Sequence, residues 1–98
     1  MKAILMKTSK VVLIEGDIID SRLSGEVNQP FCIHRVKFSN DKFAIVRVAS
    51  GQCFTPGEII KRYGNEWLYN HEKIRLLGFE YLDEKESARQ FHEHYWHI

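Results

Sequence analysis

The chain has 98 residues, which is the size of one domain with a single hydrophobic core. Hydrophobic residues make up 44% and charged residues 28% of the sequence, a balance that excludes an intrinsically disordered chain. The formal net charge is +1, which excludes the strongly basic composition of a dedicated nucleic-acid-binding domain. Any phosphate-binding surface would therefore depend on a local cluster of cations.

The sequence predicts a cytoplasmic location. We find no cleavable signal peptide and no run of ~18 apolar residues that would cross a membrane. The two cysteines, Cys32 and Cys53, are too few for the disulfide framework of a small secreted domain. We therefore expect two reduced thiols and no membrane partner.

The first third of the chain predicts strands followed by a loop. Residues 2–7 and 11–15 are apolar runs that predict a hairpin, and residues 16–20 predict a short strand that continues it. Residues 21–30 contain Ser, Gly, Asn and Pro, which favour turns. We expect an irregular loop over this segment.

The middle of the chain predicts a second hairpin, formed by the β-rich runs 31–39 and 42–50. Asn40 and Asp41 between them tolerate the positive φ angles of a two-residue turn. This turn would pair Phe38 with Phe43, Val36 with Ile45 and His34 with Arg47. One face of the hairpin would then carry the core residues Val36, Phe38, Phe43 and Ile45. The opposite face would carry Arg35 and Lys37.

Two helices are predicted in the second half of the chain. The sequence TPGE at 55–58 combines a capping Thr, a Pro at the first helical position and a Glu three residues after the cap. It predicts a short helix that ends at Gly64. Residues 67–69 and 74–82 then predict strands around a turn, and Asp83 with Glu86 predicts a last helix that runs to about residue 97.

Together these elements predict an α+β protein. Its core would be a small antiparallel β-sheet, or a partly open barrel, of roughly four to six strands with two short helices, the second at the C-terminus. No repeat or linker divides the sequence, so residues 1–98 are expected to form a single compact domain.

The C-terminal stretch QFHEHYWHI, residues 90–98, holds three of the five histidines. On a helix, His92 and His94 lie about 200° apart, so they cannot bind the same ion. His94 and His97 share a face, but two imidazoles make an incomplete zinc site. We therefore predict a structural helix end and no metal. The predicted core-facing stripe comprises Ala88, Phe91, His92 and Tyr95.

Two groups of residues offer an enzymatic alternative. Asp17 and Asp20, with Glu15, place three carboxylates within six residues, as a metal-dependent nuclease would require. Cys53 precedes the predicted helix start and would need His34 or His71 as a base to act as a thiol nucleophile. Nothing in the sequence aligns either set, so we expect no catalytic residue and no cofactor. The alternative is a small metal-dependent or thiol hydrolase or nuclease.

The charge distribution indicates a binding surface instead. Residues 31–62 carry a formal charge of +4, whereas residues 15–30 and 63–98 each carry −3. We therefore expect a small non-enzymatic binding or regulatory protein, such as an inhibitor or an accessory factor of a mobile element. A macromolecular partner would dock on the basic hairpin, with a protein favoured over nucleic acid. The oligomeric state is not predicted. The candidate partner-binding residues are Arg35, Lys37, Lys42, Lys61 and Arg62.

Overall fold

A computed structural model describes the backbone of residues 13–96 and the side chains of residues 13–92. Within these residues the chain forms a seven-stranded antiparallel sheet and one α-helix. The elements in chain order are β1 (Leu13–Glu26), β2 (Gln29–Phe38), β3 (Phe43–Ala49), a 3-10 turn (Ser50–Gln52), β4 (Ile59–Tyr63), β5 (Glu66–Tyr69), β6 (Glu72–Ile74), β7 (Gly78–Leu82) and α1 (Glu84–Trp96).

The sheet is organised around β1, which lies at its centre. The strand order is β6-β5-β4-β1-β2-β3-β7, and every neighbouring pair is antiparallel. The 14 residues of β1 pair with β4 at the start of the strand and with β2 along nearly all of it. An irregularity in the register between Ile18 and Asp20 bends the strand. Because such a bulge increases the local twist, the sheet curls into a half-barrel.

The inner face of the half-barrel holds the main hydrophobic core. Gly16 lies on this face of β1, directly opposite Phe38 of β2. A Cβ atom at Gly16 would lie 2.7 Å from Val36 and 2.8 Å from the Phe38 ring, so only glycine admits this close packing. The buried residues of this core are Ile18, Cys32, Val36, Phe38, Ala44, Val46, Val48, Phe54 and Ile60.

Aromatic rings close the half-barrel. Trp67 of β5 and Phe79 of β7 come from opposite ends of the sheet, yet their ring centroids are 4.9 Å apart. Phe38 packs against both rings, with its centroid 5.9 Å from that of Trp67 and 6.3 Å from that of Phe79. Such ring pairs contribute about 0.5–1.5 kcal/mol each beyond their burial. Side-chain contacts therefore bring together two strands that share no backbone hydrogen bonds.

The outer face of the sheet carries α1. Asp83 caps this helix, since its Oδ1 accepts a hydrogen bond of 2.6 Å from the Glu86 N–H, which confirms the predicted helix start. Phe91 is buried against Ile33 and Ile45 in a second, smaller core. His92 is exposed, so its predicted place in the core-facing stripe is wrong. The buried stripe contains Ser87, the residue one turn before Phe91.

The predicted fold class is confirmed in its coarse form, but the strand count and the first helix are wrong. Residues 55–58 form a turn in which Gly57 has a φ of 98°, and a helix cannot continue through that angle. Pro followed by Gly is equally the signature of a type II turn. The expected capping contact still forms, because the Thr55 N–H donates to Glu58 Oε1 over 2.6 Å. Ile59 and Ile60 then begin β4 rather than a helix.

The predicted loop over residues 21–30 is also wrong. β1 continues through residue 26 and β2 begins at residue 29, which leaves a turn of only two residues, 27 and 28. The predicted short strand 16–20 belongs to the same long β1. Pairing with β2 therefore overrides a local composition that favours a loop. Of the predicted N-terminal hairpin, only residues 13–15 are described, and these lie in β1.

The central hairpin forms, but its predicted register is wrong by one residue. Its loop has three residues, 39–41, because Asp41 adopts a φ of 66° and the Phe38 N–H donates to the Lys42 carbonyl over 2.8 Å. Lys37 therefore pairs with Phe43, and Val36 pairs with Ala44. A slip of one residue moves every side chain of β3 to the other face, so Phe43 and Ile45 lie on the outer face.

The predicted strands after β4 are only partly right. Asn70 and His71 both have positive φ angles, 51° and 69°, as a tight hairpin turn between β5 and β6 requires. The predicted strand 74–82 is broken, because β6 ends at residue 74 and β7 begins at Gly78.

Phe91→Ala should lower the free energy of unfolding by about 3–5 kcal/mol, because it empties the centre of the contact between α1 and the sheet. His92→Ala, one residue along the helix and exposed, should change it by less than ~0.5 kcal/mol. Urea denaturation of both variants measures the difference. Equal losses would show that another face of α1 contacts the sheet.

Candidate functional site

The two cysteines form a disulfide. Cys32, buried in β2, pairs with Cys53, which follows the 3-10 turn, with their Cα atoms 5.5 Å apart. The expectation of reduced thiols is wrong, because the fold places side by side two segments separated by 21 residues of sequence. Cys53 has no thiol that would act as a nucleophile. The cytoplasmic location stays a prediction. The expected reduced thiols no longer support it, since disulfides persist mainly in oxidising compartments.

His34 has both ring nitrogens engaged. Nε2 accepts a hydrogen bond of 3.0 Å from the Phe54 N–H, so the ring proton lies on Nδ1, 3.2 Å from the Val46 carbonyl oxygen. The side chain is fully buried. Burial lowers the pKa of His34 below its ordinary value, and the hydrogen bond to Val46 offsets part of that effect. His34 therefore stabilises the position of Phe54 and is not placed to act as a general base.

The carboxylates near the start of β1 are divided among separate partners. Glu15 lies 3.9 Å from Lys61 on β4, and Asp20, beyond the bulge, lies 3.7 Å from Arg35 on β2. Asp17 is exposed between these two pairs. Among the described residues, no three His, Cys, Asp or Glu side chains are grouped so as to hold a metal ion. Of the three C-terminal histidines, only the side chain of His92 is described.

Two of the five candidate partner-binding residues are occupied by contacts within the protein. Arg35 donates to Ser87 Oγ over 2.9 Å and to the Glu84 carbonyl over 3.1 Å, so it attaches α1 to the sheet. Arg62 donates to the Gly64 carbonyl over 3.1 Å. Its guanidinium lies over the Trp67 ring at 5.4 Å and over the Phe79 ring at 5.3 Å.

The three lysines lie in two places. Lys37 and Lys61 are on the outer face of the sheet, where Lys37 is the cross-strand neighbour of Asp17 and Lys61 is that of Glu15. Lys42 follows the hairpin loop, and its Nζ lies 5.4 Å from the centroid of the Tyr81 ring. The structure therefore does not bring the five predicted residues into one basic surface.

The outer face carries an apolar surface that α1 leaves uncovered. We call it the outer patch, and its apolar members are Leu13, Ile59, Tyr63 and Leu68. Leu13 is 46% exposed, Tyr63 46% and Ile59 43%, although they lie on the adjacent strands β1 and β4, and Leu13 is directly opposite Tyr63. Leu68 of β5 is the cross-strand neighbour of Lys61. Lys61 lies at the centre of the patch.

Sequence reasoning missed the outer patch because it depends on β4. A helix over this segment would give Ile59, Ile60 and Tyr63 a shared apolar face. In the strand, alternate side chains point to opposite faces. Ile60 therefore enters the inner core, and Ile59 and Tyr63 remain exposed on the outer face.

A groove of about 510 Å³ runs through the outer patch and continues to the β5–β6 turn. At its border Tyr69 donates its hydroxyl proton to Glu58 Oε2. The Thr55 N–H holds the other carboxylate oxygen, and this hydrogen bond, followed by that from Tyr69, lowers the pKa of Glu58. The groove therefore has a fixed negative charge at one side and Lys61 in its lining.

Comparisons with protein-family models, with curated proteins and with solved structures find no match. No helix in residues 13–96 is long and apolar enough to cross a membrane.

The protein should lose stability as the pH falls below about 6.5. The folded-state pKa of His34 is lowered, so the unfolded chain takes up a proton that the folded chain excludes. This contribution is fully present above the unfolded pKa, and it declines by at most about 1.4 kcal/mol per pH unit toward the folded pKa. Urea denaturation at pH 7.5 and pH 5.5 measures the effect.

Matched histidine variants separate the His34 contribution from the others. His71 and His92 are exposed, so His71→Gln and His92→Gln should keep the pH dependence of the wild type. His34→Gln should be less stable at pH 7.5 and lose most of the pH dependence. A decline that survives His34→Gln unchanged would assign it to another group.

Arg35→Gln should lower the free energy of unfolding by about 2–3 kcal/mol, because it removes charged hydrogen bonds to α1 from a side chain that is only 15% exposed. Lys37→Gln, two residues along the same face and exposed, should change it by less than ~0.5 kcal/mol. Thermal and urea denaturation would compare them. If both variants were as stable as the wild type, Arg35 would not attach the helix.

Proposed function

We propose that this protein is a small non-enzymatic binding module that docks a partner protein on its outer patch. The observation that carries the proposal is the group of exposed apolar side chains on adjacent strands: Leu13, Ile59 and Tyr63. Contiguous apolar surface that the fold does not need for its own core commonly marks a site of interaction. A regulatory role, such as that of an inhibitor or an accessory factor of a mobile element, is part of the same proposal and is compatible with so small a chain.

The composition of the outer patch fits a protein partner. Its exposed apolar side chains include a tyrosine, and the Glu15–Lys61 pair lies among them, with Lys37 and Asp17 beside Ile59. Protein interfaces likewise combine apolar area, enriched in aromatic residues, with polar and charged groups, and as a whole they are only about as apolar as other protein surface. The patch lies on hydrogen-bonded strands, so binding would not require its backbone to fold first.

The charge pairs argue against nucleic acid on this face. Lys61 has Glu15 as its neighbour, and Arg35 has Asp20. Phosphate binding depends on cations that are free to replace counterions along the backbone, and a neighbouring carboxylate opposes that exchange. Because the carboxylates of β1 neutralise the basic residues of β2 and β4, a protein surface is the better match. Two of the predicted residues, Lys37 and Lys61, belong to the proposed interface.

The proposal predicts that Ile59→Asp abolishes binding and that Leu23→Asp does not. Both substitutions place a carboxylate at an exposed apolar position of a strand, but Leu23 lies outside the outer patch. A charge in place of an apolar side chain that an interface buries should weaken binding by at least tenfold. Immobilised wild type and variants would be incubated with nuclease-treated lysate, and the captured proteins would be quantified by mass spectrometry.

Three results would contradict the proposal. The first is equal capture of the same proteins by all three forms, and the second is capture from untreated lysate that is lost when nuclease removes nucleic acid. The third is a wild-type dimer in sedimentation that Ile59→Asp converts to a monomer, which would make the patch a contact between two copies of this chain. Lys61→Glu should slow association with a true protein partner, because the charges of the patch steer the encounter.

A further inference from the structure

The two ends of the sheet do not pair with each other. β7 pairs with β3 and β6 pairs with β5, and in the part of the chain that the structure describes neither has a second strand beside it. A groove of about 340 Å³ lies between them, lined by Trp67, Ile74, Leu76, Phe79 and the polar residues Asn65 and Arg75. We propose that this groove, the edge groove, binds an extended acidic segment of a partner protein, which adds to β7 as a further strand.

The backbone of β7 supplies the first part of the argument. In an antiparallel pair, every second residue directs its N–H and C=O away from its neighbour. Among residues 13–96, the five residues of β7 are bonded to β3 alone, so the other edge of β7 presents donors and acceptors in the spacing of a strand. Such an edge binds extended peptides through main-chain hydrogen bonds. A compact small molecule would form hydrogen bonds with only some of these donors and acceptors.

The side chains in the edge groove supply the second part. Trp67 and Phe79 are only half-buried, although their rings are in contact, and Ile74 and Leu76 are half-buried beside them. An added strand directs alternate side chains to the same face as its neighbours. Apolar residues at alternate positions of the bound segment would therefore cover these four side chains and extend the inner core.

Charge identifies which segment fits. Arg75 is exposed in the lining of the edge groove, and Arg62 lies over the Trp67 and Phe79 rings that form its wall. None of the described residues that line the groove is acidic. Residues 1–12 of this chain carry only basic charges, Lys2, Lys7 and Lys10, so they match the site poorly. An acidic segment, with carboxylates between its apolar residues, is complementary to the groove.

The probe for this site is a short capped peptide of alternating valine and glutamate, titrated into the full-length protein and followed by NMR and hydrogen exchange. The peptide should protect the amides of β7 that point away from β3. Arg75→Glu should weaken its binding by about two- to fivefold and strengthen binding of the corresponding valine–lysine peptide by a similar factor. Lys73→Glu is the control, because Lys73 is also exposed but lies on the outer face, where it is the cross-strand neighbour of Leu68 and pairs with Glu66.

Two methylated peptides test the strand geometry itself. N-methyl groups on the valines block one edge of the peptide, and those on the glutamates block the other. Because an added strand uses one edge, one of these peptides should bind as the parent does and the other should lose at least tenfold in affinity. Equal binding of both would overturn the proposal, since the peptide would then be held by side chains alone.

Other outcomes would assign the edge groove to a different occupant. Strong protection of the outward amides of β7 in the free protein would overturn the proposal, because the edge would already be paired within the chain or with a second copy. Tighter binding of oligothymidylate than of the acidic peptide would overturn it in favour of nucleic acid. The outer patch is a separate surface, so Ile59→Asp should bind the peptide as the wild type does. If Arg75→Glu loses peptide binding and Ile59→Asp keeps it, the result concerns the edge groove only and does not test the proposed function of the outer patch.

Discussion

The curvature of the sheet around Phe38 is the constraint on which the other features of this protein depend. Gly16 lets the Phe38 ring approach the backbone of β1, and the bulge after Ile18 bends the same strand. The bend brings Trp67 and Phe79, from opposite ends of the sheet, into contact. A flat sheet of this size would leave its apolar inner face exposed to water, whereas the curved sheet covers that face with its own aromatic residues.

The curvature also determines which surfaces remain available for binding. Because the inner face covers itself, α1 is free to pack on the outer face, where it buries Phe91 against β2 and β3. Arg35 connects this helix to the sheet and is removed from the candidate interface. The outer face beyond the helix keeps its apolar side chains exposed, which gives the outer patch. The two ends of the sheet are joined by aromatic rings and not by backbone hydrogen bonds, so the edge groove remains between them.

Local patterns in the sequence predicted several elements correctly. They failed where pairing between distant segments determines the secondary structure or the register. Asp83 and Glu86 identify the start of α1, because capping depends on residues within one turn. The hairpin of β2 and β3 is also evident, but its register depends on whether Asp41 takes a positive φ, which adds one residue to the loop. Thr55 to Glu58 satisfies both the rule for a helix start and the rule for a type II turn, and the pairing of β4 with β1 selects the turn.

The candidate site was harder to predict than the fold, for a physical reason. Summed charges along the chain suggested a basic hairpin, but the register places the carboxylates of β1 beside the cations of β2 and β4, so the charges cancel across strands. The outer patch and the Cys32–Cys53 disulfide likewise depend on which segments become neighbours. Of the five predicted residues, Lys37 and Lys61 lie at the proposed interface. No local property of the sequence distinguishes them from Arg35 and Arg62.

The most direct test of this account is a double-mutant cycle between Trp67 and Phe79. Leucine at either position keeps apolar volume but removes the ring contact that joins the two ends of the sheet. Trp67→Leu and Phe79→Leu should be coupled by about 0.5–1.5 kcal/mol in the free energy of unfolding. Trp67→Leu combined with His92→Gln, on the other side of the sheet, should be additive. Additivity of the Trp67 and Phe79 variants would contradict the account, because the ends of the sheet would then not be held together by these rings.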